Sequence, residues 1–266
     1  MESHPWETAR AAADSAGVEI RPLSRLRDAP EILRVMIATW GEHQLLPQEF
    51  IRALQDSGNV PFGAFRRDEM VGYVLGFLGH DGEGVHLHSH MLAVVPGERG
   101  KGVGYVLKLA QRAAALARGI RVVRWTFDPL LSRNAHFNIA KLGASADRFE
   151  RDFYGEMTDL LNRGERTDRL VVRWELDREA GGVAAPEGAQ VLRRLGPRER
   201  PTPSTVSPPA GGPARVEIPR DYEALRSGDR ELAASWRDAL AQALEACFAA
   251  GLIATGFTSD SAYVFA

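Results

Sequence analysis

Between residues 18 and 176, short strand-like apolar runs alternate with stretches of helical spacing, the pattern of a mixed α/β fold. Residues 18–23 predict a first strand. Asp28 then stands where a helix cap would, ahead of Ile32, Val35, Met36 and Ile37 at helical spacing. Pro47 opens a second helix through Phe50, Ile51 and Leu54, which stops near Gly58. Residues 60–65 and 70–78 predict a hairpin across the polar turn Arg66-Arg67-Asp68-Glu69, and residues 85–95 a strand ending at Pro96. A glycine-rich loop leads into an amphipathic helix over 103–118, with Val106, Leu107, Ala110, Ala113, Ala114 and Ala117 as its buried stripe and Gly119 as its stop. A strand at 122–127, a helix at 132–142 closed by Gly143 and a strand at 170–176 complete the series.

The pattern changes after Asp177. Pro186, Pro197, Pro201, Pro203, Pro208, Pro209 and Pro213, with Gly211-Gly212, disfavour an interior helix or central strand, so residues 178–214 are expected to be a linker or wrapping arm. Order resumes with a short strand at 216–218. A helix follows from an Asp229 cap to Gly251, carrying Leu232, Trp236, Leu240, Ala243, Leu244, Cys247 and Phe248 on one face. The chain ends in a strand-like run at 261–266. The expected division is a domain over 18–177, the arm over 178–214, and a β-α-β extension over 215–266 packed on the first domain.

Composition narrows the function classes. The chain has 266 residues, 44% hydrophobic and 26% charged, with a formal net charge of -2. That length supports a sizeable core, and the balance gives no overall field for nucleic acid or an anionic membrane. Residues 1–16 are too polar for a signal-peptide core, and no apolar run approaches the roughly 18 residues of a membrane span, so a cytoplasmic protein is expected. Cys247 is the lone cysteine, which excludes an intramolecular disulfide. The basic side chains are nearly all arginine: Lys101, Lys108 and Lys141 are the only lysines, and all lie within one forty-residue stretch.

That stretch carries the chemistry. Arg99-Gly100-Lys101-Gly102-Val103-Gly104 lies between a strand and a helix, where backbone N–H groups and the helix dipole face an anion and glycine lets a phosphate approach. A Walker A loop would need Ser or Thr after its lysine, and Gly104 is followed by Tyr105. A dinucleotide fingerprint needs GxGxxG, and the spacing here is GxGxG. The pattern (Arg/Gln)-x-x-Gly-x-(Gly/Ala) is met by Arg99, Gly102 and Gly104.

With the approach Met91-Leu92-Ala93-Val94-Val95-Pro96 and the later Lys141-Leu142-Gly143, this loop resembles the acyl-CoA pyrophosphate loop of the GNAT acetyltransferase superfamily, and the order of elements from 18 to 176 is similar to the GNAT fold. Trp125-Thr126-Phe127-Asp128-Pro129, Asp152-Phe153-Tyr154-Gly155 and Thr167-Asp168-Arg169 resemble a subgroup of that superfamily with a C-terminal extension, some of whose members are associated with N-acylation of amino acids, succinyl transfer included. The resemblance implies an α/β (α+β) fold with a mixed, mainly antiparallel sheet flanked by helices. It implies acetyl-CoA or another acyl-CoA, such as succinyl-CoA, as co-substrate without metal, and a small amine or amino acid as acceptor. Pantetheine would meet the backbone of Leu92, Ala93 and Val94, and the pyrophosphate that of Gly100, Lys101, Gly102, Val103 and Gly104, with Arg99 and Lys101 adding charge and Asn134 touching pantetheine. The family's usual thiol acid, a tyrosine four residues before the glycine of its KLG ending, is here Ile139, which leaves Tyr154 as the nearest candidate.

The residues themselves add an acceptor side. His86, His88 and His90 alternate along one strand and so project to one face. Three such side chains diverge rather than converge on a tetrahedral metal, so they are read as satisfied sheet histidines or as an acceptor pocket in which His90 or His88 acts as base and His86 binds substrate. Asp128 could hold an acceptor ammonium or cap the next helix. Asn138, four residues from Asn134, shares its helix face. The expected activity is N-acyl transfer in a ternary complex, by a monomer or homodimer; a non-catalytic acyl-CoA-binding regulatory or scaffold protein and a protein acetyltransferase are the alternatives.

Overall fold

A computed structural model describes residues 3–42, 45–158, 163–178, 188–203, 208 and 211–266. The chain forms two compact units, residues 1–125 with 157–165, and residues 126–156 with 166–266. The division therefore falls inside a strand at Trp125/Thr126 rather than at residue 177.

The first unit begins with a helix that the polar pattern of residues 1–16 did not suggest, α1 (Ser3–Ala16). Its small residues explain it: Ala9 and Ala13 are buried, and Ala13, Val18, Val103 and Val106 belong to one core cluster. Next come β1 (Glu19–Pro22), α2 (Ala29–Trp40), α3 (Gln48–Asp56), β2 (Phe62–Arg66), β3 (Glu69–Asp81), β4 (Gly84–Val94), α4 (Val103–Leu116) and β5 (Val122–Phe127). Asp28 precedes α2, but its carboxylate accepts the Arg25 N–H at 2.8 Å instead of capping the helix. The β2–β3 turn is built on Arg67 and Asp68, both at positive φ (50° and 65°), as a two-residue hairpin loop requires. Strand order is β1-β2-β3-β4-β5, antiparallel until β4 meets β5 in parallel. One face of β3 packs Tyr73 and Leu75 with Ile32, Val35 and Met36 of α2 and Ile51 of α3. The other packs Val71 and Val74 with Val103, Val106 and Leu107 of α4.

The second unit holds α5 (Ser132–Ala135), which continues as a π-helical turn over His136–Lys141, then β6 (Ser145–Glu150), β7 (Arg169–Glu175), β8 (Ala189–Leu195), β9 (Arg200–Pro203), β10 (Ala214–Glu217), α6 (Tyr222–Gly228), α7 (Arg230–Ala249), β11 (Ala254–Phe257) and β12 (Ala262–Phe265). Its strands run in the order β7-β6-β11-β12-β10-β8-β9. Both units are mixed and mainly antiparallel, with β8–β10 the second parallel pair, which is the α/β architecture expected.

The segment expected to be a linker or wrapping arm contains the hairpin β8–β9. Pro201 and Pro203 sit on β9, at the edge of the strand order, where a missing N–H costs no ladder bond. Pro186 and Pro209 lie outside the described residues. The extension is likewise richer than β-α-β: α6 precedes α7, and β11 and β12 form an antiparallel pair. Asp229 does cap α7, accepting the Leu232 N–H at 3.0 Å.

Candidate active site

Strand β4 is where the first unit becomes asymmetric. Its pairing with β3 slips between Leu75/Met91 and Gly76/Ser89, so His90 is the extra residue of a bulge. Its parallel ladder with β5 consists of Leu87↔Val123 and His88↔Arg124. Beyond His88 the two strands part, while β4 keeps its β3 partners, Leu92 opposite Val74, Ala93 opposite Tyr73 and Val94 opposite Gly72. The backbone of His90 to Val94 therefore has one edge outside any ladder with β5, which is where the sequence placed the pantetheine contacts.

The loop past β4 turns on two left-handed glycines, Gly100 at φ 81° and Gly102 at φ 86°. Gly102 is the N-cap of α4 and has no side chain to occupy the helix N-terminus, so the first turn, Val103 and Gly104, receives no side-chain cap. Nothing lies within 4 Å of where a Cβ on Gly100 would sit, and only Ala16 of α1 lies near that of Gly102, at 3.7 Å. This is an open helix N-terminus, of the kind whose N–H groups and dipole suit an anion. Arg99 donates to the Val94 carbonyl at 3.3 Å, holding the loop to β4. Lys101 is exposed and pairs with Glu98 at 3.1 Å. Glu98 also binds Arg66 at 2.9 Å, and Arg66 in turn donates to the carbonyls of Ala16 and Gly17 at the end of α1. The hydrogen bond from Lys101, followed by that from Arg66, holds the Glu98 carboxyl below its usual range.

The three histidines share the face of the sheet opposite α4. His88 stacks on Phe77 at 5.0 Å, His90 lies 5.8 Å from the same ring, and His88 and His90 are 6.0 Å apart. His86 sits over Gly79, where any Cβ would stand 2.5 Å from its Nε2, with Asp81 3.5 Å from its Nδ1. Among the described residues no group of three or more His, Cys, Asp or Glu could hold a metal ion. Burial lowers the His88 pKa to about 4, with the charges of His90, His86 and Lys108 adding to the effect. His90 keeps contact with solvent, but partial desolvation lowers its pKa as well. Both rings are neutral at pH 7 and can accept a proton.

The remaining candidates lie in the second unit. The Tyr154 hydroxyl shares a hydrogen bond with Thr126 Oγ1 at 3.0 Å. Tyr154 stands on a tight turn with Asp152 at φ 48° and Gly155 at φ 65°, not in a strand. The turn is held from beneath: buried Thr167 accepts the Tyr154 N–H and donates to the Gly155 carbonyl, buried Asp168 accepts the Asp152 N–H, and the Arg169 guanidinium lies 5.4 Å from the Tyr154 ring. Asp128 is not open to an ammonium. Its two oxygens take a bidentate pair from Arg237 at 2.9 and 3.0 Å, and one also accepts the Leu130 N–H. Asn134 is exposed on α5, whereas Asn138 is buried in the π turn, so their spacing does not give them a common environment. Ile139 is 2% exposed, an apolar core residue. Sequence reading singled out Lys108 only as one of three clustered lysines and missed its meeting with Ser89, Gln111 and Trp125 inside the first unit; the one further signal was a lysine beside the apolar stripe of α4.

The first unit thus combines two strands that part after a short parallel ladder with a helix whose N-terminus is capped by a glycine. Residues 27–143 match the model of the Acetyltransferase (GNAT) family. No curated protein matches the chain. The solved structures similar to it include the ribosomal-protein-S18-alanine N-acetyltransferase from Escherichia coli, with 15% identity over 61% of this chain and 96% of that one and a TM-score of 0.49. Also similar are yncA from Salmonella typhimurium, solved with its cofactor acetyl-CoA (16% identity, 63% and 98% coverage, TM-score 0.49), and an N-acetyltransferase from Staphylococcus aureus Mu50 (15%, 60% and 99%, 0.47). No helix among the described residues is long and apolar enough to cross a membrane.

Proposed function

We propose that the chain is an acyl-CoA-dependent N-acyltransferase that moves an acetyl or succinyl group directly to a small amine or amino acid. The observation that carries this reading is the parting of β4 from β5 after His88, one short loop before the open N-terminus of α4. The N–H groups of that helix end and of Gly100 to Gly104 suit a pyrophosphate, with Arg99 and Lys101 as counter-charges. The unpaired edge of Leu92, Ala93 and Val94 suits pantetheine and supplies donors for the oxyanion that forms when an amine attacks the thioester carbonyl.

In this reading neutral His90, with His88 behind it, takes the proton the amine must lose. For the acid, the sequence offers Tyr154, whose hydroxyl shares a hydrogen bond with Thr126. His86 is read as belonging to the acceptor side. Asp128, already bound by Arg237, serves that side by fixing the end of β5 rather than by binding the ammonium. Ile139 favours a second reading, an acyl-CoA-binding regulatory or scaffold protein without turnover, because it removes the family's usual acid.

Calorimetry with acetyl-CoA and succinyl-CoA, followed by thiol release across a panel of L- and D-amino acids and simple amines, tests both. Micromolar binding of one donor and amine-dependent thiol release are expected, and Gly102→Val with Gly104→Val should abolish binding in a folded chain. Tight binding without turnover would leave the second reading; no binding of either donor at millimolar concentration would remove both.

A further inference from the structure

We propose that Lys108 is the positioning residue of the β4–β5 fork: its ammonium group ties the first residue of each strand beyond the end of their ladder and so sets the slot for the acyl thioester. The proposal rests on the reading above for the slot's use, but not for the fork itself.

Position 108 lies on α4 between buried Leu107 and Leu109, where burial calls for an apolar side chain, and Lys108 is 2% exposed. A lysine there is costly unless its donors are met. They are met from three elements. Nζ donates to Ser89 Oγ of β4 at 2.8 Å and to Gln111 Oε1 of α4 at 3.3 Å, and it lies 3.7 Å from the centre of the Trp125 ring of β5. Ser89 follows His88 and Trp125 follows Arg124, and His88↔Arg124 is the last rung of the ladder. One cation therefore bridges the two strands at the vertex where they separate, from the side of the sheet opposite the histidines.

Among the described residues no carboxylate pairs with this ammonium, so only neutral acceptors and an aromatic face hold it. Burial draws its pKa down to about 7. The titratable group coupled to it is His88, the adjacent β4 residue on the other face of the sheet, whose own pKa Lys108 depresses; Ser89, Gln111 and Trp125 do not titrate in this range. Protonated, Lys108 grips both strands. Deprotonated, it loses the cation–π attraction to Trp125 and keeps only weak donors. The fork is thus held more firmly on the acid side of neutrality.

The full chain allows a direct test, because it contains only the lysines Lys101, Lys108 and Lys141. Carbon-13 labelling of the lysine ε-carbons should give one signal that titrates near neutrality and disappears in Lys108→Met. Hydrogen exchange of the amides of residues 87–94 should quicken in Lys108→Met and, less, in Ser89→Ala. By calorimetry, Lys108→Met should bind acetyl-CoA about tenfold more weakly, the loss of one buried cation contact, and without the wild-type change in affinity between pH 6 and 8. Should Lys108→Met fail to fold, Ser89→Ala and the lysine titration still decide. A folded Lys108→Met with wild-type affinity, pH profile and exchange overturns the proposal, as does a Lys108 signal that shows no titration near neutrality. Failure of wild-type protein to bind either donor would instead sink the functional reading, while exchange and titration would still report on the fork.

Discussion

His88 shows how much one side chain can reveal when its surroundings are known. Stacked on Phe77 and flanked by His86 and His90, it is desolvated enough for its pKa to fall from 6.5 to about 4. Between those values the unfolded chain binds a proton that the folded chain refuses, so stability rises with pH there; it is complete above about 6.5 and lost as pH falls toward 4. Urea unfolding of wild type should lose on the order of 1–2 kcal/mol across that window from this group, less than the full shift implies because water still reaches part of the ring. His88→Phe, which keeps an aromatic ring on Phe77, should flatten the slope; an unchanged slope would mean that His88 titrates normally. At this scale the sequence was informative where chemistry is local. Gly102 is legible because only its backbone matters, and Ile139 because an absent hydroxyl needs no partner. Asp128 was misread because its partner Arg237 lies far along the chain, and no spacing rule connects them.

The elements of the first unit from β1 to β5 follow their hydrophobic patterns closely: the helices bury one stripe, and β3, covered on both faces, reads as a continuous apolar run. What escaped is instructive. Helix α1 packs through alanines, Ala9 and Ala13, which weigh little in a hydrophobic pattern yet allow close approach to α4. Strand β6 carries Ala146 and Phe149 as its apolar residues, and its alternation breaks where its register with β7 slips between Ala146 and Arg148. Strand β9 hides behind its prolines. The end of α1 also bears on the site, because Arg66 ties the Ala16 and Gly17 carbonyls to Glu98, the carboxylate that holds Lys101. Arg66→Ala should therefore free α1 from the loop and leave Glu98 to neutralise Lys101 alone. The expected result is a lower urea midpoint together with acetyl-CoA binding weaker by on the order of threefold to tenfold, the effect of losing a charge-assisted network. Unchanged affinity in the variant would confine Arg66 to holding α1.

At the scale of the molecule, the question is whether residues after 177 are an accessory or part of what folds. The second unit joins residues 126–156 to residues 166–266, so its core is assembled from both sides of that boundary. Strand β6 pairs with β11 at Ala146↔Ala254, and the Tyr263 hydroxyl of β12 donates to the Pro129 carbonyl at 2.8 Å from a fully buried position. Arg237 of α7, 5% exposed, neutralises Asp128. Ending the chain at residue 177 would strip β6 of its outer partner, leave the Asp128 carboxylate without its cation and expose the apolar side chains that α7 covers. A buried ion pair broken on one side costs about 3–5 kcal/mol, a large part of the stability of a domain this size. Residues 1–177 expressed alone should thus be aggregated or molten, without the sharp thermal transition of the full chain, by circular dichroism and size-exclusion chromatography. Arg237→Ala in the full chain should lower the unfolding free energy by an amount in that range, and Arg237→Met combined with Asp128→Asn by clearly less, because no unpaired charge remains. A truncated chain that melts cooperatively would show instead that residues 1–177 stand alone and that the C-terminal strands and helices only decorate them.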